Sequence, residues 1–241
     1  MLFRSHTYND ILLNHLIKHI SKGRILDLAG GTGYNSNFIQ EYNDYSIDLV
    51  DISKQMLKQC QNSSINKVCK GMLEFLTVQE SCCYDAIVCT WALMYEQPQK
   101  VLNQCQRLLK NGGYLYILVN DQQTLPQIRK IYPKLLIEYV GSINKLMFDL
   151  PMPNNAQQLE RWAKKAGLKN CRVTSKKQEF YFTDWNRAAK FVTSTGALAG
   201  YDAMLDLKNE KIFNTLVEQL QKFFTKPCIT HHFVMGIFKK G

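Results

Sequence analysis

The sequence predicts an α/β fold built on a doubly wound, mainly parallel sheet. Two observations carry this: apolar, β-branched runs near residues 24, 46, 67, 84 and 114 alternate with helical stretches, and the first run ends in a glycine turn. Such alternation makes consecutive strands parallel, because each helix crosses over the sheet before the next strand begins. The first strand and turn read Ile25-Leu26-Asp27-Leu28-Ala29-Gly30-Gly31-Thr32-Gly33, and the second strand, Ile47-Asp48-Leu49-Val50-Asp51, ends in an acid. Glycines there let the backbone turn sharply and approach a ligand where a side chain would collide. Asp51 lies 20 residues beyond Gly31, the offset at which a carboxylate accepts hydrogen bonds from both ribose hydroxyls of a cofactor.

Which ribose cofactor binds is decided by the rest of the turn. Nicotinamide dinucleotides use G-x-G-x-x-G, with the third glycine allowing close helix packing; here Gly31-x-Gly33-x-x-Ser36 lacks it. Asp27, at the leading edge of the turn, would repel a pyrophosphate and attract a cationic amino or sulfonium group. The expected ligand therefore carries a positive charge.

At this point the stretch resembles motif I of the class I S-adenosylmethionine-dependent methyltransferases, usually D-x-G-x-G-x-G, with Ala29 where the first glycine is common. The resemblance continues in that family's order. Residues 84–93, Tyr-Asp-Ala-Ile-Val-Cys-Thr-Trp-Ala-Leu, look like its fourth strand, whose carboxyl end lines the pocket near the methionine part of the cofactor. Residues 108–117, Leu-Leu-Lys-Asn-Gly-Gly-Tyr-Leu-Tyr-Ile, resemble its L-K-P-G-G turn, which ends a helix and opens strand five; glycine suits a left-handed helix stop. The matches cover residues 24–120. They imply a seven-stranded Rossmann-like sheet with helices on both faces and the last strand antiparallel between strands five and six. They also imply S-adenosylmethionine as cofactor, held by Asp27, Ala29, Gly31, Gly33, Asp51, Ile52, Met56, Met72, Leu73 and Thr90.

Two departures qualify the likeness. Gly71-Met72-Leu73 stands where many members place an aspartate for the adenine amino group, so adenine is expected to rest on backbone groups and on Ile52, Met72 and Leu73. Met94-Tyr95 follows the fourth strand where relatives often carry histidine, so that loop offers no imidazole base. Methyl transfer from a sulfonium is an in-line displacement in which positioning and exclusion of water do most of the work. Tyr8, before the N-terminal helix and similar to a tyrosine that closes over the cofactor in relatives, and Tyr95 are the catalytic candidates; structural packing is the competing account of both.

The remaining elements follow in order. An N-terminal helix is expected near 8–21. Between 121 and 153 the pattern is irregular and hydrophobic, broken by Pro126, Pro133, Pro151 and Pro153, and reads as an inserted cap. A helix near 154–166 stops at Gly167, a strand runs near 171–182, a segment over 183–227 shapes the acceptor site, and a last strand lies near 228–238. The 241 residues, 46% hydrophobic, suffice for one domain over 1–241.

Residues 1–120 carry 11 Lys+Arg against 10 Asp+Glu, and residues 121–241 carry 19 against 10, so the net +10 belongs almost entirely to the C-terminal half. Arg161, Lys164, Lys165, Lys169 and Arg172 cluster around one helix and the following strand. A solvated face explains them, and so does an acidic partner such as an acyl carrier protein. Nucleic acid is the weaker choice, because no RNA-binding module is recognisable. Arg129 and Arg187 are the candidates to clamp an acidic acceptor, with surface placement the plainer account.

The eight cysteines form no C-x-x-C pair and point to reduced thiols, and residues 1–20 hold no long apolar run, so a cytoplasmic, non-membrane protein is expected. His15 and His19, spaced i, i+4, lack a third ligand in the sequence, and no metal is expected. The sequence thus reads as a methyltransferase for a small-molecule or carrier-bound acyl acceptor, at oxygen. An RNA methyltransferase, a nicotinamide-dependent oxidoreductase and a catalytically silent scaffold of the same fold are the alternatives.

Overall fold

The computed structural model describes residues 6–143, 150–194, 198 and 204–241. Its elements are α1 (His6–His19), β1 (Gly23–Leu28), α2 (Tyr34–Gln40), β2 (Tyr45–Asp51), α3 (Lys54–Leu57), β3 (Asn66–Cys69), α4 (Met72–Thr77), β4 (Tyr84–Thr90) and α5 (Pro98–Leu108). There follow β5 (Leu109–Asn120), α6 (Pro126–Glu138), α7 (Ala156–Lys165), β6 (Leu168–Tyr181), α8 (Trp185–Ser194), α9 (Glu210–Phe223) and β7 (Cys228–Lys240).

The strands form one seven-stranded sheet in the order β3-β2-β1-β4-β5-β7-β6. The pairs β1 with β2, β1 with β4, β2 with β3 and β4 with β5 are parallel, and β7 runs antiparallel to β5, from Tyr114 opposite Lys239 to Asn120 opposite Phe233. The strand order reverses between β1 and β4, so the carboxyl ends of β1, β2 and β4 open onto a crevice, the place where doubly wound sheets bind ligands.

Among the described residues, those within 4–122, 151–176 and 233–241 form one compact unit and those within 123–150 and 177–232 another. In the larger unit, α1 and α2 bury Leu12, Leu13, Leu16 and Ile39 against Ile25, Ile47, Ala86, Val88 and Tyr116 on one sheet face. On the other face α4, α5 and α7 pack in series. In the smaller unit, α6, α8 and α9 share an apolar cluster that includes Ile131, Ala188, Val192, Leu216 and Leu220. These helices come from the stretches expected as cap and as acceptor-shaping segment; the parts of those stretches over 144–149, 195–197 and 199–203 lie outside the described residues.

Three local expectations are corrected. Gly112 and Gly113 do not end a helix: α5 stops at Leu108, Leu109 is already extended, and the pair sits inside β5. There the register with β4 slips, Tyr84 facing Leu109 but Ala86 facing Tyr114. Gly112 takes φ 77°, and a Cβ on Gly113 would lie 2.9 Å from the Lys110 carbonyl oxygen and 3.0 Å from that of Asp85, so the bulge requires both glycines. Pro126 and Pro133 do not break the region after β5, since Pro126 opens α6 at its first turn, where no amide donor is needed, and Pro133 sits inside that helix, whereas Pro151 and Pro153 do lie in an irregular stretch before α7. Finally, α1 begins at His6, which places Tyr8 in its first turn rather than before it. Among the described residues no helix is long and apolar enough to cross a membrane.

Within the smaller unit, His231 on β7 is buried, and Phe180 meets its ring edge-on at 5.8 Å. Burial, reinforced by the neighbouring His232, pushes its pKa down from 6.5 to about 4. A depressed histidine stabilises the fold above pH 6.5, and that contribution is lost as pH falls through about 4. The shift corresponds to about 3 kcal/mol. Thermal melts from pH 7 to pH 4 are expected to show a steep acid limb that His231→Phe flattens; an identical pH dependence in the variant would overturn this assignment.

Candidate cofactor and active site

The turn after β1 is wound tightly: Ala29, Gly31 and Gly33 take φ of 55°, 59° and 79°. Gly30 donates its amide to the Val50 carbonyl at 3.1 Å, and Gly33 donates to that of Gly30 at 3.0 Å. Ala29 is the one side-chain-bearing residue held left-handed in the turn, at a strain of about 1 kcal/mol. A Cβ on Gly33 would sit 2.8 Å from Cys60 Sγ, whereas one on Gly31 would meet nothing within 4 Å.

Asp51 closes the loop from the second strand. Its Oδ2 accepts from the Gly31 amide at 2.9 Å and its Oδ1 from the Ser53 amide at 2.8 Å. The carboxylate therefore fixes the turn and the entry to α3 at once, and it remains partly exposed at the wall of a cavity of about 470 Å³. Ala29, Asp51, Ile52, Met72, Thr90 and Tyr95 line that cavity. So do Gly71, Trp91 and Ala92, from stretches the family likeness had pointed to, and Lys70 and Glu96, which the sequence did not single out; the carboxyl-end rule for doubly wound sheets is the signal that finds Lys70 directly after β3. Ile52 is 78% exposed and Tyr95 54% exposed, so both stand at the rim.

The other candidates lie elsewhere. Gly31 and Gly33 shape the turn behind the cavity, Met56 is exposed on α3, and Leu73 is half-buried on α4. Tyr8 packs its ring edge-on against Phe233 at 4.7 Å, within the core cluster. Arg129 and Arg187 are both at the surface, Arg187 beside Asp184 at 3.8 Å, as their plainer account has it.

Asp27 is fully buried and is not among the residues lining the cavity. Its Oδ2 accepts from the Ser36 hydroxyl at 2.7 Å and the Ser36 amide at 3.1 Å, and its Oδ1 from Asn35 Nδ2 at 3.1 Å. The carboxylate expected to attract a cationic ligand is thus spent on the first turn of α2, and burial raises its pKa despite those three donors. Ser36, the departure from the dinucleotide glycine, is its principal partner.

A buried polar network continues from this point. Asn35 also donates to Thr90 Oγ1 at 3.0 Å and accepts from Asn9 Nδ2 at 2.8 Å, and Asn9 Oδ1 accepts the Trp91 indole N–H at 3.0 Å. Asn9 on α1, Asp27 on β1, Asn35 on α2 and the end of β4 are thereby locked together behind the cavity. Toward β5, His15 and His19 stack at 3.9 Å, with His15 Nδ1 at 3.1 Å from the Tyr116 hydroxyl and the two rings 5.7 and 6.0 Å from that of Tyr114. Among the described residues no histidine lines the cavity.

An acid holding the glycine turn, apolar walls from Ile52, Met72 and Ala92, and a volume within the usual range of small-molecule pockets fit an adenosyl group. Comparison with known proteins agrees. Residues 26–117 match the family described as methyltransferase domain. The chain is 28% identical over 138 residues to the ubiquinone/menaquinone biosynthesis C-methyltransferase of Francisella tularensis subsp. novicida, covering 53% of this chain and 55% of that protein. It is 28% identical over 181 residues to the ubiquinone biosynthesis O-methyltransferase of Coxiella burnetii, covering 70% and 74%. The chain therefore spans about half the length of the first of these curated relatives. Among solved structures, a putative sarcosine dimethylglycine methyltransferase from Galdieria sulphuraria superimposes with a TM-score of 0.62 at 16% identity, over 98% of this chain and 86% of that one. A Haemonchus contortus phosphoethanolamine N-methyltransferase solved with S-adenosylhomocysteine gives 0.57 at 17% identity, over 96% and 52%. At these identities the structural likeness speaks for the fold.

Proposed function

The chain belongs to the class I S-adenosylmethionine-dependent methyltransferase superfamily, and on that premise we propose that it transfers the cofactor's methyl group to oxygen on a small molecule or a carrier-bound acyl group. The observation that carries the reading is the Asp51 carboxylate, bonded to the Gly31 amide at 2.9 Å on the wall of an apolar cavity of about 470 Å³. Transfer to oxygen is favoured by the longer of the two sequence matches, which is to an O-methyltransferase.

The cofactor supplies a methyl group on a positively charged sulfur, already activated for displacement. The residues of this chain bind and orient. Asp51 would take the ribose diol while keeping the turn closed, Ile52 and Met72 would pack on the adenine, and the buried end of β4 at Thr90 and Ala92 would keep water from the sulfur. Tyr95 at the cavity rim would orient the acceptor hydroxyl. The acceptor proton would leave to solvent or to a basic group on the acceptor itself, which suits an acidic hydroxyl. Exposed Arg161, Lys164, Lys165, Lys169 and Arg172 on α7 and β6 give an acidic carrier a complementary surface.

Calorimetric titration with S-adenosylmethionine, S-adenosylhomocysteine and NAD tests the cofactor, and mass-spectrometric screening of phenols and acyl-carrier-bound acids tests the acceptor. The expected result is micromolar binding of both adenosyl ligands, none of NAD, and products heavier by one methylene. Binding of NAD alone, or of no ligand, overturns the reading.

A further inference from the structure

With Asp27 buried behind the turn, the recognition of the cofactor's positive charge falls to another group. A ligand with its ribose at Asp51 would have its methionine part, by the family likeness, at the carboxyl end of β4. Trp91 stands there. It follows Thr90 directly, its amide donates to the Leu118 carbonyl on β5, and it lines the cavity. Its φ of 62° is left-handed, an unfavourable conformation for a bulky residue that persists only where the surroundings enforce it. The enforcement is visible: Asn9 holds the indole N–H at 3.0 Å, and Phe233 meets the ring edge-on at 5.2 Å. The polar edge of the indole is therefore satisfied inside the protein, which leaves ring carbons for the cavity.

We propose that Trp91 recognises the sulfonium charge of S-adenosylmethionine through its aromatic face, and that Asn9 acts as the positioning residue that fixes the indole for this task. Trp offers the strongest cation–π face of the natural side chains, and the interaction gains strength where water is excluded. The other charged groups on the wall do not explain discrimination at the sulfur. Asp51 is turned to the Gly31 and Ser53 amides and is assigned to the ribose, and Lys70 pairs with Glu74 at 3.9 Å. Glu96 can attract the ammonium of the methionine moiety, but that ammonium is equally present in S-adenosylhomocysteine. The two ligands differ at sulfur by one methyl group and one positive charge, so their affinity ratio reads recognition at the sulfur, and the change in that ratio on Trp91 substitution reads the proposed contact.

The inference rests on the cavity being an adenosyl site, and the experiment separates the two. Dissociation constants for S-adenosylmethionine and S-adenosylhomocysteine are measured by calorimetry on the full chain and on Trp91→Leu, Trp91→Phe, Asn9→Leu, Tyr95→Leu and Glu96→Gln. Trp91→Leu is expected to weaken the sulfonium ligand roughly tenfold and the thioether less than about twofold. Trp91→Phe, which keeps a weaker face, and Asn9→Leu, which frees the indole, are expected to lower the ratio about threefold. Tyr95→Leu and Glu96→Gln leave the ratio unchanged, whatever they do to both affinities together. Retained thioether binding certifies each variant as folded; should Trp91→Leu lose it, Trp91→Phe decides. An unchanged ratio in the deciding Trp91 variant, or a selective loss in Tyr95→Leu instead, overturns the assignment. Failure of the unmodified protein to bind either ligand overturns the methyltransferase reading itself.

Discussion

Asp51→Ala lowers the affinity for S-adenosylmethionine and S-adenosylhomocysteine about a hundredfold, the largest binding effect expected of any single change in this chain. Two sources add. The variant loses hydrogen bonds from the ribose diol to a charged acceptor, worth about 1.5–3 kcal/mol each. It also leaves the Gly31 and Ser53 amides without the acceptor that now holds them at 2.9 and 2.8 Å, so the turn loosens where the ligand must lie against it. Asp51→Asn separates these contributions, because one amide oxygen can still accept from backbone while the charge is gone; an intermediate loss of about tenfold is expected. Calorimetry of the three proteins checks this. Equal affinities would remove Asp51 from the ligand site and with it the observation on which the functional reading stands.

Gly30→Ala is expected to destabilise the larger unit by about 3 kcal/mol or more, lowering the melting temperature by roughly 10 °C. A Cβ at this position would lie 2.4 Å from Leu49 Cδ1 and 2.5 Å from the Asp27 carboxylate. Both neighbours are fully buried, and Asp27 moves only by breaking its bonds to Ser36 and Asn35, so there is no inexpensive direction in which to yield. Gly31→Ala is the informative comparison. Its Cβ meets nothing, and only the left-handed φ of 59° penalises it, by about 1–2 kcal/mol. Thermal denaturation of the two variants should rank them in that order; the reverse ranking would show that conformational strain, rather than the packing behind the turn, limits the loop.

The parts of the site legible in the sequence are those encoded by local spacing. The glycine turn and Asp51 lie 20 residues apart on one strand-helix-strand unit, so the chain's own geometry brings them together. Trp91 and Asn9 are 82 residues apart, and nothing local to either announces that an asparagine on α1 will hold an indole beyond β4. Asp27 illustrates the reverse error. Its position beside the turn was legible, but its direction was not, because a carboxylate at the end of a strand points to whichever donors tertiary packing supplies, and Ser36 and Asn35 supply them from inside. The Asn111-Gly112-Gly113 segment failed for a related reason: the same residues stop a helix or form a bulge, and pairing of Leu109 with Tyr84 decides in favour of the bulge.

The sequence by itself determined the order of strands and helices, the mainly parallel sheet, the glycine turn and the acid that closes it. These follow from hydrophobic period, from the absence of side chains in a tight turn and from a spacing that one structural unit enforces. Tertiary structure alone decided which polar groups face ligand and which face protein. A buried side chain takes the partner that satisfies it, and those partners are chosen by packing between elements far apart in the chain: α1 and α2 claim Asp27 and the indole N–H of Trp91, and leave Asp51 at the cavity.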